Sequence, residues 1–323
     1  MTCLTELWHR ARVNLANASL LDIIAHVDRA LAQGAQTIEI DVLDPDLGRG
    51  KYAGEHVDHA GTSYVHRPFR VWVDLAERLG LRLRTPRPVA PPLVRVIFEP
   101  LDRAEQLRAD ATDATEKYGV DSAFARISKL EDPGFVLDIA DALARVELAP
   151  QARVLDLGVN TGDELALLMT LSPALREAAL VGIDHSASAI AAARQRFRYA
   201  PNVQLHEASL ASLDTLALGR FDLVLSIGTL QSPGIDDREV VRQIVQHHLA
   251  PRGAVILGFP NCRYVDGEVE HGTRMKNFRQ PELGLLVKDV AFYRKYLQQH
   301  HRQVFVTGKH YVLVTGVSSP SES

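Results

Sequence analysis

Between Arg153 and Phe259 the chain repeats one pattern: a short, strongly apolar run followed by a polar or helical stretch. The runs are Arg153–Leu157, Ala179–Ile183, Val203–His206, Phe221–Ser226 and Ala254–Phe259. A strand with one wet face alternates apolar and polar residues, whereas runs this apolar suit strands buried on both faces. Helical patterns fall between them, including 186–197 and 237–248. Strands alternating with helices predict a parallel sheet covered on both sides. Two last runs, Gln303–Thr307 and Tyr311–Val317, are split by Gly308-Lys309-His310, which predicts a closing hairpin.

The junction after the first run carries chemistry. Val154-Leu155-Asp156-Leu157 ends in a carboxylate, Gly158-Val159-Asn160-Thr161-Gly162 is a loop of small residues, and Asp163-Glu164 opens a helix. Glycine lacks the Cβ that would keep a ligand away from backbone. Asp184, at the end of the second run, is placed to accept hydrogen bonds from a ribose diol. A nucleoside-containing cofactor follows. The dinucleotide fingerprint is Gly-x-Gly-x-x-Gly, with a pyrophosphate at the first turn. Here an acid precedes the first glycine by two residues and the glycines stand four apart, so a dinucleotide does not fit.

On these residues the chain resembles the class I S-adenosylmethionine-dependent methyltransferases, whose first motif is acid-x-Gly-x-Gly-x-Gly. Asp156, Gly158 and Gly162 match it, and Asn160 stands in place of the middle glycine. Asparagine is among the few residues that tolerate positive φ. The resemblance covers about residues 130–317. It implies a Rossmann-like domain with a mostly parallel seven-stranded sheet and a C-terminal antiparallel hairpin. It also implies S-adenosylmethionine as cofactor and no metal.

The same resemblance implies roles. Asp156 would face the methionyl ammonium, the Gly158–Gly162 backbone the carboxypropyl arm, and Asp184 the ribose. His185 would border the adenine; Ser186 reads better as a helix cap. Ser209 stands where many relatives have an aspartate on the adenine amino group, with Leu210 beside it. The alternative for Ser209 is a turn start. Ser226, Gly228 and Thr229 would lie beside the sulfonium, with Thr229 toward the substrate. The Asn/Asp-Pro-Pro-Tyr/Phe motif of exocyclic base amine methylation is absent. After the fifth strand, Asn261 and Arg263 are substrate candidates, and Tyr264 and His271 are candidates for base or orienter. Tyr118, Phe124, Arg126 and Lys129, ahead of the first strand, are lid or substrate candidates, with a plain linker helix as the alternative.

A chain of 323 residues suits two domains of roughly 100–200 residues. The division is expected near 115, giving a smaller α+β domain over 1–115 and the cofactor-binding domain over 116–323. The first is expected to recognise substrate or mediate dimerisation. Its expected elements are a helix over Thr5–Leu31, a strand at Thr37–Val42, a loop over 44–66 and a helix at Phe69–Leu79. A proline-rich extended connector, Thr85–Pro92, and a strand at Leu93–Phe98 follow.

Two distant cysteines, Cys3 and Cys262, argue against a disulfide framework or a zinc site. No signal peptide is evident, and no apolar run approaches about 18 residues, so a cytoplasmic protein without a membrane span is expected. A net charge of −4 leaves no overall nucleic-acid footprint. The favoured acceptor is therefore a small molecule or short peptide. An RNA or protein methyltransferase is the alternative, for which the basic excess between Arg263 and Lys309 is the only sign. A non-catalytic cofactor-binding or assembly module is the alternative of another class.

Overall fold

A computed structural model describes residues 11–47, 50–103, 126–149, 151–232, 234–271 and 283–319. The chain divides into two compact units. One comprises Met1–Leu107 with Tyr264–Glu270, and the other Arg108–Arg263 with His271–Ser323.

The first unit is built on a four-stranded sheet. Its elements are β1 (Ala11–Asn14), α1 (Leu20–Ala32), β2 (Ile38–Leu43), β3 (His56–His59), β4 (Thr62–Val65), α2 (Phe69–Leu79), β5 (Leu81–Pro88) and β6 (Leu93–Pro100). The sheet order is β1-β2-β6-β5, with β1 parallel to β2 and the other pairs antiparallel. Ile23 and Val27 of α1 and Trp72 of α2 bury against Ile38, Ile40, Val96 and Phe98. The intervening positions of β2 are the buried acids Glu39 and Asp41, which pair with Arg95 of β6. Period-two alternation puts the acids on the face opposite the helices.

Three expectations for this unit change. Of the single helix expected over 5–31, residues 5–10 lie outside the described residues, and from Ala11 the chain forms a strand and then a helix. Residues 11–14 pair with β2, and the Ser19 hydroxyl accepts from the Asp22 amide to start α1. Apolar spacing continues across that break, so periodicity alone hides it. The loop over 44–66 contains the β3–β4 hairpin, turned by Ala60 and Gly61, both at positive φ. Half of the proline-rich connector is strand. Its first half belongs to β5, an edge strand, where a missing N–H leaves no ladder partner unsatisfied. The ladder is irregular between Arg84 and Arg87, across Pro86.

The second unit carries α3 (Pro133–Leu143), β7 (Arg153–Leu157), α4 (Asp163–Leu171), β8 (Ala179–Asp184), α5 (Ala187–Arg196), β9 (Val203–Glu207) and β10 (Phe221–Ile227). These are followed by α6 (Asp237–Gln243), β11 (Leu249–Pro260), α7 (Leu283–Gln299), β14 (Arg302–Thr307) and β15 (Tyr311–Ser318). A small hairpin, β12 (Cys262–Val265) with β13 (Glu268–His271), is shared between the units by sequence. The large sheet runs β14-β15-β11-β10-β7-β8-β9. Only β15 is antiparallel to its neighbours. Leu223, Leu225 and Ile227 of β10 join the core that contains Phe135, Leu165 and Ile190. Val224 of the same strand joins the opposite core, with Ile244, Tyr293 and Leu297. The sheet is therefore buried on both faces, as its apolar strands require.

Strand order reverses between β7 and β10. Chain connections leave these neighbours in opposite directions, which opens a crevice beyond their C-terminal ends.

Candidate active site

The loop leaving β7 is held by its neighbour β8. The amides of Gly158 and Val159 both donate to the Ile183 carbonyl, at 2.8 and 3.0 Å. Asp184 holds the next turn: its Oδ2 accepts from the Asn160 amide at 2.9 Å and its Oδ1 from the Ser186 amide at 3.0 Å. Asn160 has φ of 46°, and its side-chain oxygen accepts from the Thr161 amide. Asparagine thus takes the left-handed position and caps it with its own side chain.

Gly158, at φ of 81°, faces Thr229 across the β7–β10 junction; a Cβ on it would lie 1.9 Å from Thr229 Oγ1. Its need for glycine is met within the protein, before any ligand is considered. Gly162 is similar: a Cβ there would lie 2.3 Å from the Phe197 ring.

Beneath the loop lies a charged cluster. Asp156 is 1 % exposed and Glu164, in the first turn of α4, is 2 % exposed. Lys129 Nζ pairs with Glu164 and lies 5.8 Å from the Phe135 ring centroid. Burial, then repulsion from Glu164 and Asp184, pushes the Asp156 carboxyl well above the usual carboxylate range, and Lys129 only partly offsets this. Burial works to lower the Lys129 ammonium, but Glu164, Tyr311 and Asp156 outweigh it and keep it above its ordinary range. Asp156 Oδ2 and Glu164 Oε2 are buried with no hydrogen-bond partner.

The remaining cofactor candidates are distributed as follows. His185 is exposed, 3.5 Å from Asp184 Oδ1. Ser186 caps α5 through the Ala189 amide. Ser209 is exposed and caps the helical turn that begins at the buried Leu210, accepting from the Ala211 amide. Ser226 is fully buried, 3.4 Å from the Leu157 carbonyl. Gly228 donates to the Gly258 carbonyl, and a Cβ on it would meet Pro260 and Tyr311 at 3.6 and 4.0 Å.

Of the substrate candidates, Tyr118 and Phe124 lie outside the described residues. Arg126 is exposed and Arg263 half-buried. Tyr264 belongs with the first unit, in the segment whose Asp266, Glu268 and Glu270 pair with Arg82 and Arg103. Asn261 and His271 meet: Asn261 Nδ2 is 3.1 Å from His271 Nε2 and donates to the Lys309 carbonyl at 2.9 Å. A fourth segment joins them. His310 packs 6.0 Å from His271, centroid to centroid, and its Nδ1 lies 3.3 Å from Asp132 Oδ2.

Sequence reading missed Glu164 as the partner of Lys129, and it missed Asp132 and His310 entirely. Asp132 had a local signal, an acid before Pro133 at a helix start. His310 had none beyond its place in the hairpin loop.

Residues 154–253 match the methyltransferase domain family. With the strand order above, this match supports a class I S-adenosylmethionine-dependent methyltransferase domain in this chain, with S-adenosylmethionine as its cofactor. Among individual relatives, the chain is 31 % identical over 154 residues to a trans-aconitate 2-methyltransferase from Delftia acidovorans. That match covers 47 % of this chain and 53 % of the relative. A second such protein, from Azoarcus, is 32 % identical over 120 residues, or 37 % of this chain and 44 % of the relative. The chain thus spans about half the length of these relatives. A solved structure of the CurJ carbon methyltransferase overlays with a TM-score of 0.47 at 12 % identity, covering 78 % of this chain and 79 % of its own.

The residues present fit the family's cofactor. An orphaned, buried carboxylate oxygen on Asp156 calls for an N–H or cationic donor, because buried polar atoms are normally paired. It stands at the C-terminal end of β7, at the crevice where the strand order reverses.

Proposed function

We propose that this protein transfers the methyl group of S-adenosylmethionine to a small-molecule acceptor. The observation that carries the reading is the orphaned Asp156 carboxylate beneath the Gly158–Gly162 loop, in a domain of this family. Asp156 would take the methionyl ammonium, the loop backbone the carboxypropyl arm, and Asp184 the ribose hydroxyls. Asp184 keeps lone pairs for that purpose, because each of its carboxylate oxygens accepts one backbone bond. His185 and Leu210 would border the adenine, and Gly228 and Thr229 the sulfonium. Ser209 and Ser226 would contribute backbone, since their hydroxyls are already engaged.

Bound S-adenosylmethionine supplies a methyl group on a sulfonium and a neutral thioether as leaving group. The protein's share is then mainly alignment and exclusion of water. The buried Lys129–Glu164 pair would fix the charge around Asp156, so that Asp156 is ionised only when a cation stands before it. The relatives named for trans-aconitate support a small, acidic acceptor over a nucleic acid. The N-terminal unit would shape the acceptor's surroundings or hold two copies together.

Calorimetry with S-adenosylmethionine tests the cofactor half, and absence of binding by folded protein would refute it. The acceptor half is tested by incubation with S-adenosylmethionine and a panel of small molecules, trans-aconitate included, followed by mass spectrometry. The expected result is a methyl-group mass shift on one class of acceptor. Transfer confined to RNA or protein would overturn it.

A further inference from the structure

We propose that His310, oriented by Asp132, is the proton acceptor of this enzyme, and that its acceptor therefore offers a protonated nucleophile, a hydroxyl or an amine. The inference rests on the methyl-transfer reading above and names the acceptor chemistry of that site.

Position comes first. His310 immediately precedes β15, whose first residue, Tyr311, pairs with Pro260 at the C-terminal end of β11. The Tyr311 ring lies beside Gly228, at the end of β10. The loop is therefore at the edge of the sheet where the crevice opens. It is also pinned there. Asn261 donates its amide to the His310 carbonyl at 2.7 Å and its side chain to the Lys309 carbonyl, while the Lys309 amide bonds Asp138 of α3.

Protonation follows from the bonding. Asp132 caps α3 through Oδ1, which accepts from the Gly134 and Phe135 amides at 2.8 and 3.3 Å. Its Oδ2 is left for His310 Nδ1. A carboxylate only accepts, so Nδ1 carries the hydrogen and Nε2 carries the lone pair. Nε2 has no hydrogen-bond partner among the described residues. His271 differs. The Lys309 carbonyl fixes which end of the Asn261 amide is the NH₂, and that group donates to His271 Nε2. The Nε2 lone pair of His271 is thus engaged, which leaves His271 a positioning residue and His310 the catalytic one.

The step balances. The acceptor's O–H or N–H proton passes to His310 Nε2, and the freed lone pair forms the bond to the methyl carbon. The carbon–sulfur bonding pair departs with sulfur, and the imidazolium, held by Asp132, later releases its proton to solvent. A carboxylate nucleophile would need no such base.

Two arms test this. In the first, His310→Gln and Asp132→Asn are assayed against the acceptor panel. Asparagine keeps the helix cap. The expected result is a kcat about 100-fold lower in His310→Gln, with unchanged calorimetric affinity for S-adenosylmethionine. The acidic limb of the pH–rate profile should vanish with the imidazole. The groups facing that imidazole are Asp132 at the start of α3, Asp138 of α3 and His271. Unchanged kcat, or a carboxylate as the methylated atom, overturns the proposal. The second arm needs no acceptor: imidazole nitrogen NMR of the intact protein should show the Nδ1–H tautomer at His310, lost in Asp132→Asn. An Nε2–H tautomer in the wild type overturns it too. Failure of cofactor binding would instead strike the methyl-transfer reading.

Discussion

Two polar clusters sit at the same edge of the large sheet, and they solve opposite problems. Asp156 and Glu164 are acids held in the core, against the single half-buried cation Lys129. Asp132, His310 and His271 reach solvent, and with the buried Asn261 they are joined by directional hydrogen bonds. In the first cluster burial makes charge expensive, and a cationic ligand would relieve it. In the second, each nitrogen's role is set by its neighbour, which suits proton transfer. The proposed binding and proton-transfer roles thus fall on different residues, drawn from different parts of the chain.

The comparison is broken most severely at Lys129. Lys129→Met leaves Asp156 and Glu164 without a counter-cation and should cost about 3–5 kcal/mol of stability near neutral pH, read from urea melts. An unchanged midpoint would show that the buried acids do not depend on it. A pH series sharpens the point. Because the Asp156 carboxyl is raised in the folded state, its contribution is present at low pH. That contribution is lost as pH climbs from the ordinary aspartate range through the raised value. Asp156→Asn should flatten that slope. The opposite slope change would mean that Asp156 is stabilised in its ionised form.

Next in size is Gly158→Ala, at about 2–3 kcal/mol, since it adds left-handed strain and a collision with Thr229. Thr229→Ala in the same chain should recover part of the loss, and strict additivity in the double-mutant cycle would deny the contact. Asp184→Ala should weaken S-adenosylmethionine binding by about 1–3 kcal/mol, because it frees the Asn160 and Ser186 amides as well as removing the proposed ribose partner. Unaltered calorimetric affinity would take Asp184 out of the site. The smallest effect is expected in the first unit. Arg82→Ala removes its partly exposed bonds to Asp266 and Glu268 and should cost about 1 kcal/mol. Its visible sign should be faster amide exchange over 264–270, and unchanged exchange there would count against those ion pairs.

Taken by itself, the sequence determined the rhythm of the second unit. Apolar runs, a carboxylate-ended first strand and small-residue turns are local features, because burial on both faces and positive φ leave marks on neighbouring residues. Every strand of the large sheet was legible for that reason, as were the order of Asp156, Gly158, Asn160 and Gly162 and the start of the helix at Phe69, whereas the β12–β13 hairpin was not. Local marks misled where a break did not interrupt the spacing, as between β1 and α1. They also misled where prolines lay on an edge strand, as in β5. Tertiary structure alone decided the partnerships. Lys129 meets Glu164, and Asp132 meets His310 across 178 positions. A four-segment cluster has no pattern along the chain, since its residues need only the right end of the right strand, and sheet order fixes which ends are neighbours. The same holds for residues 264–270, which follow β11 in sequence and belong with the N-terminal unit in space. In sequence they read as a polar connection suited to contacting substrate, and in the structure their acids pair with Arg82 and Arg103.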